Sequence, residues 1–448
     1  MPALEDFATW EPLLRLVRDG LPGKSGRASG FISQGSWSVP VPRPAPVPGQ
    51  TFMVSDMQDE WDAVELVRNS LGDLDGIEFV VDTEPDGRTT LRLLHTGPAA
   101  QRAVGNAAPG ELVFVEGAVP EPWRRLPEPS PDATPAPTAD AELLERTLRE
   151  RLPNAISAAG EEIAAAEARL GVTLPDELKA LYRVTRADHA DLNGDYEAVS
   201  ALVNAVRCEL FTLDGLYIAD AESRPVPWEF AAGEAVVTRP DDAVQGVVGS
   251  PGWIAFGDNG GGDRFAIDLT PGPKGHLGQV ILLSHEENIG GELIADSLTD
   301  MVVHDRSSEW RPSGGPSRAV AHVNIARLPS IEAAAHPDLE VLHLGVWEDE
   351  PFSLAPVFDC PRLRTLTAYA GTLADPLEIT RLENLEYLSL TPEDWRVLLD
   401  ADAVPGTLLA AGFEGYQHDP LALTSLANEL LALCERPLIT ETVLEGVL

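Results

Sequence analysis

The chain has 448 residues, 44% of them hydrophobic, and a formal net charge of −40 at pH 7. That length accommodates two to four domains. The charge excludes bulk neutralisation of nucleic-acid phosphates and favours fast, salt-sensitive association with a basic protein.

Cys208, Cys360 and Cys434 are far apart and odd in number, which fits a reducing cytoplasm and neither a disulfide framework nor a zinc ribbon. The N-terminus has no basic stretch leading into an apolar one, and no run of about 18 apolar residues occurs. Neither a signal peptide nor a membrane span is expected. Arg outnumbers Lys, and Ala, Gly and Pro are abundant, a bias of GC-rich bacterial genes.

In chain order, a helix is predicted from Leu4 to Val17. The Pro-rich stretch at 40–50 cannot be a regular helix or a central strand. Residues 59–71 place Trp61, Val64, Val67 and Leu71 at helical spacing. Residues 77–96 read as two strands around a turn at Glu84 to Gly87, and 111–119 as another strand. Together these give a small α+β domain at 1–118.

Residues 119–140 are Pro- and Ala-rich without periodicity, the pattern of an extended linker. A helix follows at 141–157, then a second with Ile163, Ala166 and Leu170 on one face. Gly171 stops it in the left-handed conformation. Pro175 opens a third, whose apolar face is Leu178, Leu181 and Tyr182. Strands are predicted within 209–221, 234–238, 253–259, 264–270 and 278–286, and a closing helix at 293–304. This is an α+β sheet domain spanning 141–311.

The last region, 318–448, repeats. Segments beginning at Val320, Leu339, Leu363, Leu385 and Leu408 fit L-x-x-L-x-L with apolar substitutes. Their spacing and short return segments predict a leucine-rich-repeat solenoid of α/β character, each unit too small to bury its leucines alone.

Two stretches of the middle domain resemble the SMI1/KNR4 family, also called the SUKH superfamily. The first, Glu162 to Thr185, carries a helix, Leu174-Pro175 and a second helix. The second, Gly252 to Glu286, carries W-x-x-F-G-D-x-G-G-G-D-x-x-x-x-D. Its residues are Trp253, Phe256, Gly257, Asp258, Gly260, Gly261, Gly262, Asp263 and Asp268, followed by His285 and Glu286. The resemblance covers about a third of the chain. Residues 185–199 depart from the family pattern. The resemblance implies a non-catalytic α+β fold used in protein binding. Bacterial members resemble immunity proteins that neutralise toxins, and fungal relatives are linked to cell-wall synthesis control.

The glycine-rich segment at 257–263 lacks the lysine of a phosphate-binding loop. It reads as a tight turn, with Asp258, Asn259 and Asp263 either supporting the backbone or offered to a partner. Asp188, Asp191, Asn193, Asp195 and Glu197 form an acidic cluster. Counted from Asp191, position 6 is Tyr196 and position 12 is Leu202, so a calcium loop is not expected. The cluster is a solvated loop or a contact for a basic partner. No catalytic motif, metal set or cofactor site is read from the sequence. The expected function is cytoplasmic, non-catalytic protein binding of the immunity type. The alternatives are a scaffold recognising an endogenous protein through its repeats, and an enzyme whose site lies in 1–118.

Overall fold

The computed structural model describes residues 3–42, 57–102, 109–192, 195–305, 318–415 and 418–448. Most of the Pro-rich stretch at 40–50, Asn193 and residues 311–317 at the expected domain border lie outside the described residues. The chain divides into two units, residues 1–118 with 321–448, and residues 119–320. This differs from the expected partition into a free-standing N-terminal domain, a linker, a middle domain and a separate repeat module.

The first unit begins with α1 (Phe7–Gly20), capped by the Asp6 carboxylate on the Ala8 amide. Then come β1 (Gly26–Ser33), β2 (Trp37–Ser38), α2 (Gln58–Arg68), β3 (Gly76–Thr83), β4 (Arg88–His95), β5 (Ala100–Arg102) and β6 (Pro109–Val113). The predicted hairpin is present: β3 and β4 pair antiparallel across residues 84–87. Trp10, Leu13, Leu14 and Val17 of α1 and Val64 and Val67 of α2 pack on Phe79, Leu91 and Leu93 of the hairpin. Trp61 is not part of this apolar face. It is 43% exposed and packs edge-on against Trp37, whose indole N–H donates to the buried Glu60.

The second unit holds α3 (Glu121–Arg124), α4 (Ala141–Arg151), α5 (Gly160–Leu170), α6 (Asp176–Tyr182), α7 (Tyr196–Val206), β7 (Glu209–Leu210), β8 (Tyr217–Ile218) and α8 (Trp228–Ala232). It continues through β9 (Trp253–Asp258), β10 (Arg264–Asp268), β11 (Gln279–Leu283), β12 (Glu292–Ala295) and α9 (Leu298–Val302). The sheet order is β12-β11-β10-β9-β7, with β8 also on β9. Helices α4, α6 and α9 cover one face, through Leu144, Leu148, Leu178, Leu181, Leu298 and Val302 against Ile254, Phe256, Ile267 and Val280.

Three expectations change here. Residues 234–238 form no strand. Val236 gives its carbonyl to Arg125, and the Thr238 hydroxyl takes the Gly246 amide. The predicted closing helix is split: Leu293 and Ile294 lie in β12, and Ser297 then caps α9 on the Asp300 amide. Residues 119–140 are not a free linker but lie along the second unit. The Glu128 backbone is bonded in both directions by the Gln245 amide, and the Thr134 carbonyl accepts from Leu277. Proline fixes an extended backbone. Here that extension is held by hydrogen bonds rather than left in solvent.

The chain returns to the first unit through β13 (Val320–Val323), α10 (Ile331–Ala334), β14 (Val341–Leu344), β15 (Thr365–Ala368), β16 (Tyr387–Leu390), α11 (Pro392–Asp400) and β17 (Ala410–Phe413). It ends with α12 (Pro420–Leu433) and β18 (Thr440–Val447). Each repeating segment supplies one short strand, and β14 to β17 pair in parallel. The leucines at 339, 342 and 344, at 363 and 366, and at 385, 388 and 390 are all buried.

Two pairings join residues 321–448 to residues 1–118. β17 pairs antiparallel with β6, and β18 pairs with β4 over eight residues. A ladder of four-residue strands ends in an open edge, and β6 with β5 covers it.

Leu366 has no exposed surface. We expect Leu366→Asp to cost several kcal/mol, comparable to a domain's whole margin, and to lower the thermal midpoint of the first unit. An unchanged melt would place the side chain outside the core.

Glu78, buried on β3, has a carboxyl pushed up to about 8 by burial, against the weaker pull of Arg102. The folded state therefore keeps a proton that the unfolded chain releases near about 4.3. Stability should fall as pH rises from about 4 to about 8 and level off above. Glu78→Gln should remove that slope in urea titrations. A slope unchanged by the substitution would assign it to another group.

Candidate functional site

Helix α5 ends where Gly171 takes φ 71°, so the chain turns and delivers buried Leu174 and then Pro175 to the start of α6. Pro175 is the residue before the first helical turn, one position earlier than predicted. The Glu167 carboxylate accepts from the Leu174 amide at 2.8 Å and pairs with Lys179 at 2.7 Å. This packs α5 and α6 together beside the sheet.

The glycine-rich motif forms the β9–β10 hairpin. Trp253 begins β9 with its ring fully buried, and Asp268 ends β10 directly opposite it. Four donors converge on the Asp268 carboxylate. Oδ1 accepts from Trp253 Nε1 at 3.0 Å, from the Thr270 amide at 2.7 Å and from the Thr270 hydroxyl at 3.2 Å. Oδ2 accepts from Gln279 Nε2 at 2.8 Å. Burial pushes the Asp268 carboxyl up to about 6, and the four donors restrain that rise.

Gln279 also donates to the Ala243 carbonyl and accepts from the His276 amide. The Ser250 and Thr270 hydroxyls are 2.7 Å apart. One carboxylate thus ties the ends of β9 and β10, the start of β11 and the loops at 243, 250 and 276.

At the other end of the hairpin the turn is equally self-contained. Gly260 and Gly262 take φ 81° and 107°, values that side-chain-bearing residues rarely adopt. The Asp258 carboxylate accepts from the Gly260 amide and pairs with Arg264. Asn259 accepts from the amides of Gly261 and Asp263 and donates to the Asp263 carboxylate at 2.6 Å. The other Asp263 oxygen accepts from the His285 amide at 3.0 Å and lies 2.7 Å from His285 Nδ1. These bonds from His285 hold the Asp263 carboxyl below its usual range.

The buried side chains beneath are apolar. Phe256 packs with Phe265, and Gly257 faces Cys208, whose thiol burial pushes up to about 12. A thiol so protonated is a poor nucleophile.

The carboxylates of the acidic cluster have separate local partners. Asp191 is clamped by Arg186 at 2.5 and 2.6 Å, which holds its carboxyl below the usual range. Asp188 accepts from the Ala190 amide. Asp195 caps α7 by accepting from the amides of Glu197 and Ala198. Glu197 is exposed in the first turn of α7, where its charge favours the helix dipole. The helix itself was not predicted, although Asp195 followed by an apolar run is an N-terminal signal.

The profile of the SMI1 / KNR4 family (SUKH-1) matches residues 157–304. That segment contains both the α5–α6 corner and the whole hairpin network. It is an SMI1/KNR4 domain. The chain is similar to a fungal glucan synthesis regulatory protein from Neurospora crassa, 37% identical over 67 residues, covering 15% of this chain and 13% of the relative. It is also similar to the cell wall biosynthesis/cell cycle regulator smi1 of Schizosaccharomyces pombe, 44% identical over 84 residues, 17% of each protein. A KNR4/SMI1 homolog from Yarrowia lipolytica is 49% identical over 47 residues, 10% of this chain and 7% of the relative. The chain therefore spans less than a fifth of the length of each.

The SMI1/KNR4 signature residues fall into two groups. Trp253, Phe256, Gly257, Asp268 and Leu174 are buried, and Asp258, Asn259, Gly260, Gly261 and Asp263 shape an outer turn. Gln279, Thr270 and Gln245 belong to the buried network and were not singled out beforehand. A glutamine opening the apolar run of β11 is the one local hint.

Asp268→Ala would strand the indole, amide and carboxamide donors, each costing about 1–3 kcal/mol when buried and unpaired. We expect the SMI1/KNR4 domain's unfolding midpoint in urea to fall accordingly. Asp263→Ala, at the exposed turn, should cost far less. Equal effects of the two would contradict this division.

Proposed function

We propose that the protein is a non-catalytic, cytoplasmic protein-binding regulator that needs no cofactor. The observation that carries this reading is that the SMI1/KNR4 signature is spent on the fold, buried around Asp268 and bonded to itself at the outer turn. Its carboxylates and amide are bonded to neighbouring donors and shape a sheet, a polar arrangement suited to rigidity rather than to proton or group transfer. The relatives named as regulators of glucan synthesis and of the cell wall support a regulatory role. The ladder of strands β13 to β17, with its buried leucines, supports reading 318–448 as a leucine-rich-repeat array that supplies a second binding surface.

A sharper form of the same reading is neutralisation of a basic toxin. The charge distribution favours it: from Arg186 to Asp300 there are 20 acidic and 6 basic residues, a balance of −14. Asp191 and Asp195 are engaged locally, so the attraction is that of the whole domain rather than of their loop.

Affinity capture from host cells followed by mass spectrometry tests protein binding. With a captured partner in hand, stopped-flow association should slow markedly between about 0.01 M and 0.1 M salt, as the Debye length falls from about 30 Å to about 10 Å. An on-rate insensitive to salt would leave the acidity to solubility and remove the basic-partner form. Failure to retain any protein would count against the regulator itself.

A further inference from the structure

Residues 120–140 precede the matched segment at 157–304, yet they run in register along the second unit. The contacts advance in order. Trp123 Nε1 donates to the Arg224 carbonyl at 2.9 Å, and Arg125 donates to the Val236 carbonyl at 3.0 Å. Glu128 meets Gln245, and the Ser130 hydroxyl donates to the Pro271 carbonyl at 2.7 Å. The Thr134 carbonyl accepts from the Leu277 amide at 3.0 Å, and the Asp140 amide donates to Thr299 Oγ1 at 3.1 Å. After the helical turn of α3 the segment runs from Arg125 to Ala139 without further helix, with tight turns at 130–133 and 136–139, and over that stretch the progression is that of a peptide held in a groove.

The central contact reads backbone, not side chain. Gln245 is 2% exposed, and its amide accepts from the Glu128 N–H at 2.7 Å and donates to the Glu128 carbonyl at 2.8 Å. A buried carboxamide placed this way imitates one rung of a strand pair, for any residue that has an N–H. Pro120, Pro122 and Ala136 are buried, and the side chains of Trp123, Arg125 and Ser130 reach in to backbone carbonyls, while Leu126 is 76% exposed. The segment also leaves space beside it, a cavity of about 500 Å³ lined by Asp132, Thr134, Lys274 and His276 among others.

We propose that this track is a peptide-binding groove of the SMI1/KNR4 domain, occupied in cis by residues 120–140. Its exchange partner is an extended, Pro-rich segment of another protein. Proline keeps such a ligand extended at low entropic cost. The partner segment carries a non-proline residue at the Gln245 rung and side-chain N–H or O–H donors on either side. In the resting chain the tethered segment holds the groove at high effective concentration. The partner chemistry rests on the protein-binding reading above. The groove is tested without any captured partner, so failure of one does not entail failure of the other.

The test uses the full chain with residues 120–139 replaced by a Gly-Ser stretch of equal length. A fluorescein-labelled synthetic peptide of residues 120–140 is the probe, read by anisotropy. The replaced chain should bind it saturably, and the unaltered chain at least tenfold more weakly. A peptide carrying Glu128→Pro lacks the N–H that Gln245 accepts and should bind the replaced chain at least tenfold more weakly. This peptide variant leaves the fold of the protein untouched. Absence of saturable binding, equal binding by the unaltered chain, or indifference to Glu128→Pro would each overturn the proposal. A replaced chain that no longer folds by circular dichroism would overturn it too, since the segment would then be part of the core.

Discussion

Asp268 has no solvent-exposed surface, and charge in that position is tolerable because four donors converge on it. An unpaired carboxylate there would be prohibitive. The consequences reach through the domain. Trp253 is fixed at the start of β9 by its indole N–H, Gln279 at the start of β11 by its carboxamide, and Thr270 at the exit of β10 by backbone and hydroxyl together. Gln279 passes the constraint to Ala243 and His276. The position of the 243–245 loop, and so of Gln245 on the Glu128 backbone, depends on a carboxylate that touches neither residue.

The first unit depends on a different kind of constraint. Its parallel strands are four residues long, and an isolated ladder of that size presents an unpaired edge. The antiparallel addition of β6 to β17 covers it, while β18 extends the other sheet beside β4. The pairings join chain segments about 300 and about 350 residues apart in sequence. Closing them is entropically expensive only once, because loop-closure cost grows slowly with length.

Local signals in the sequence carried most elements but not their assembly. The apolar periods at Ile163, Ala166 and Leu170, the Gly171 stop and the Leu174-Pro175 corner lie within one or two turns of their consequences. The repeated leucines marked each strand of the ladder for the same reason. The partners of β6 and β18 could not be read that way, because a strand's pattern fixes its faces and not its neighbour. Residues 119–140 misled for a related reason. Proline-rich composition predicts an extended backbone, which gives way to the α3 turn at 121–124 and to tight turns further on, and it is silent on whether a buried glutamine elsewhere meets that backbone. Charge alone did not give the local roles in the acidic cluster, where Arg186 and the start of α7 engage two of the carboxylates. The signature of the site was legible as spacing, and its inward chemistry was not, since donors such as Gln279 and Thr270 have no distinctive pattern.

The account holds that the buried part of the SMI1/KNR4 signature, centred on Asp268, is internal architecture. Native-state hydrogen exchange tests this most directly, at the Thr270 amide and the Trp253 indole N–H, both of which donate to Asp268. The account predicts that both exchange only through unfolding of the whole domain, with a denaturant dependence equal to that of its slowest core amides on β9 and β10. Fast exchange at either group, independent of denaturant, would mean that the carboxylate is open to solvent and ligands in the native state, and would contradict the account.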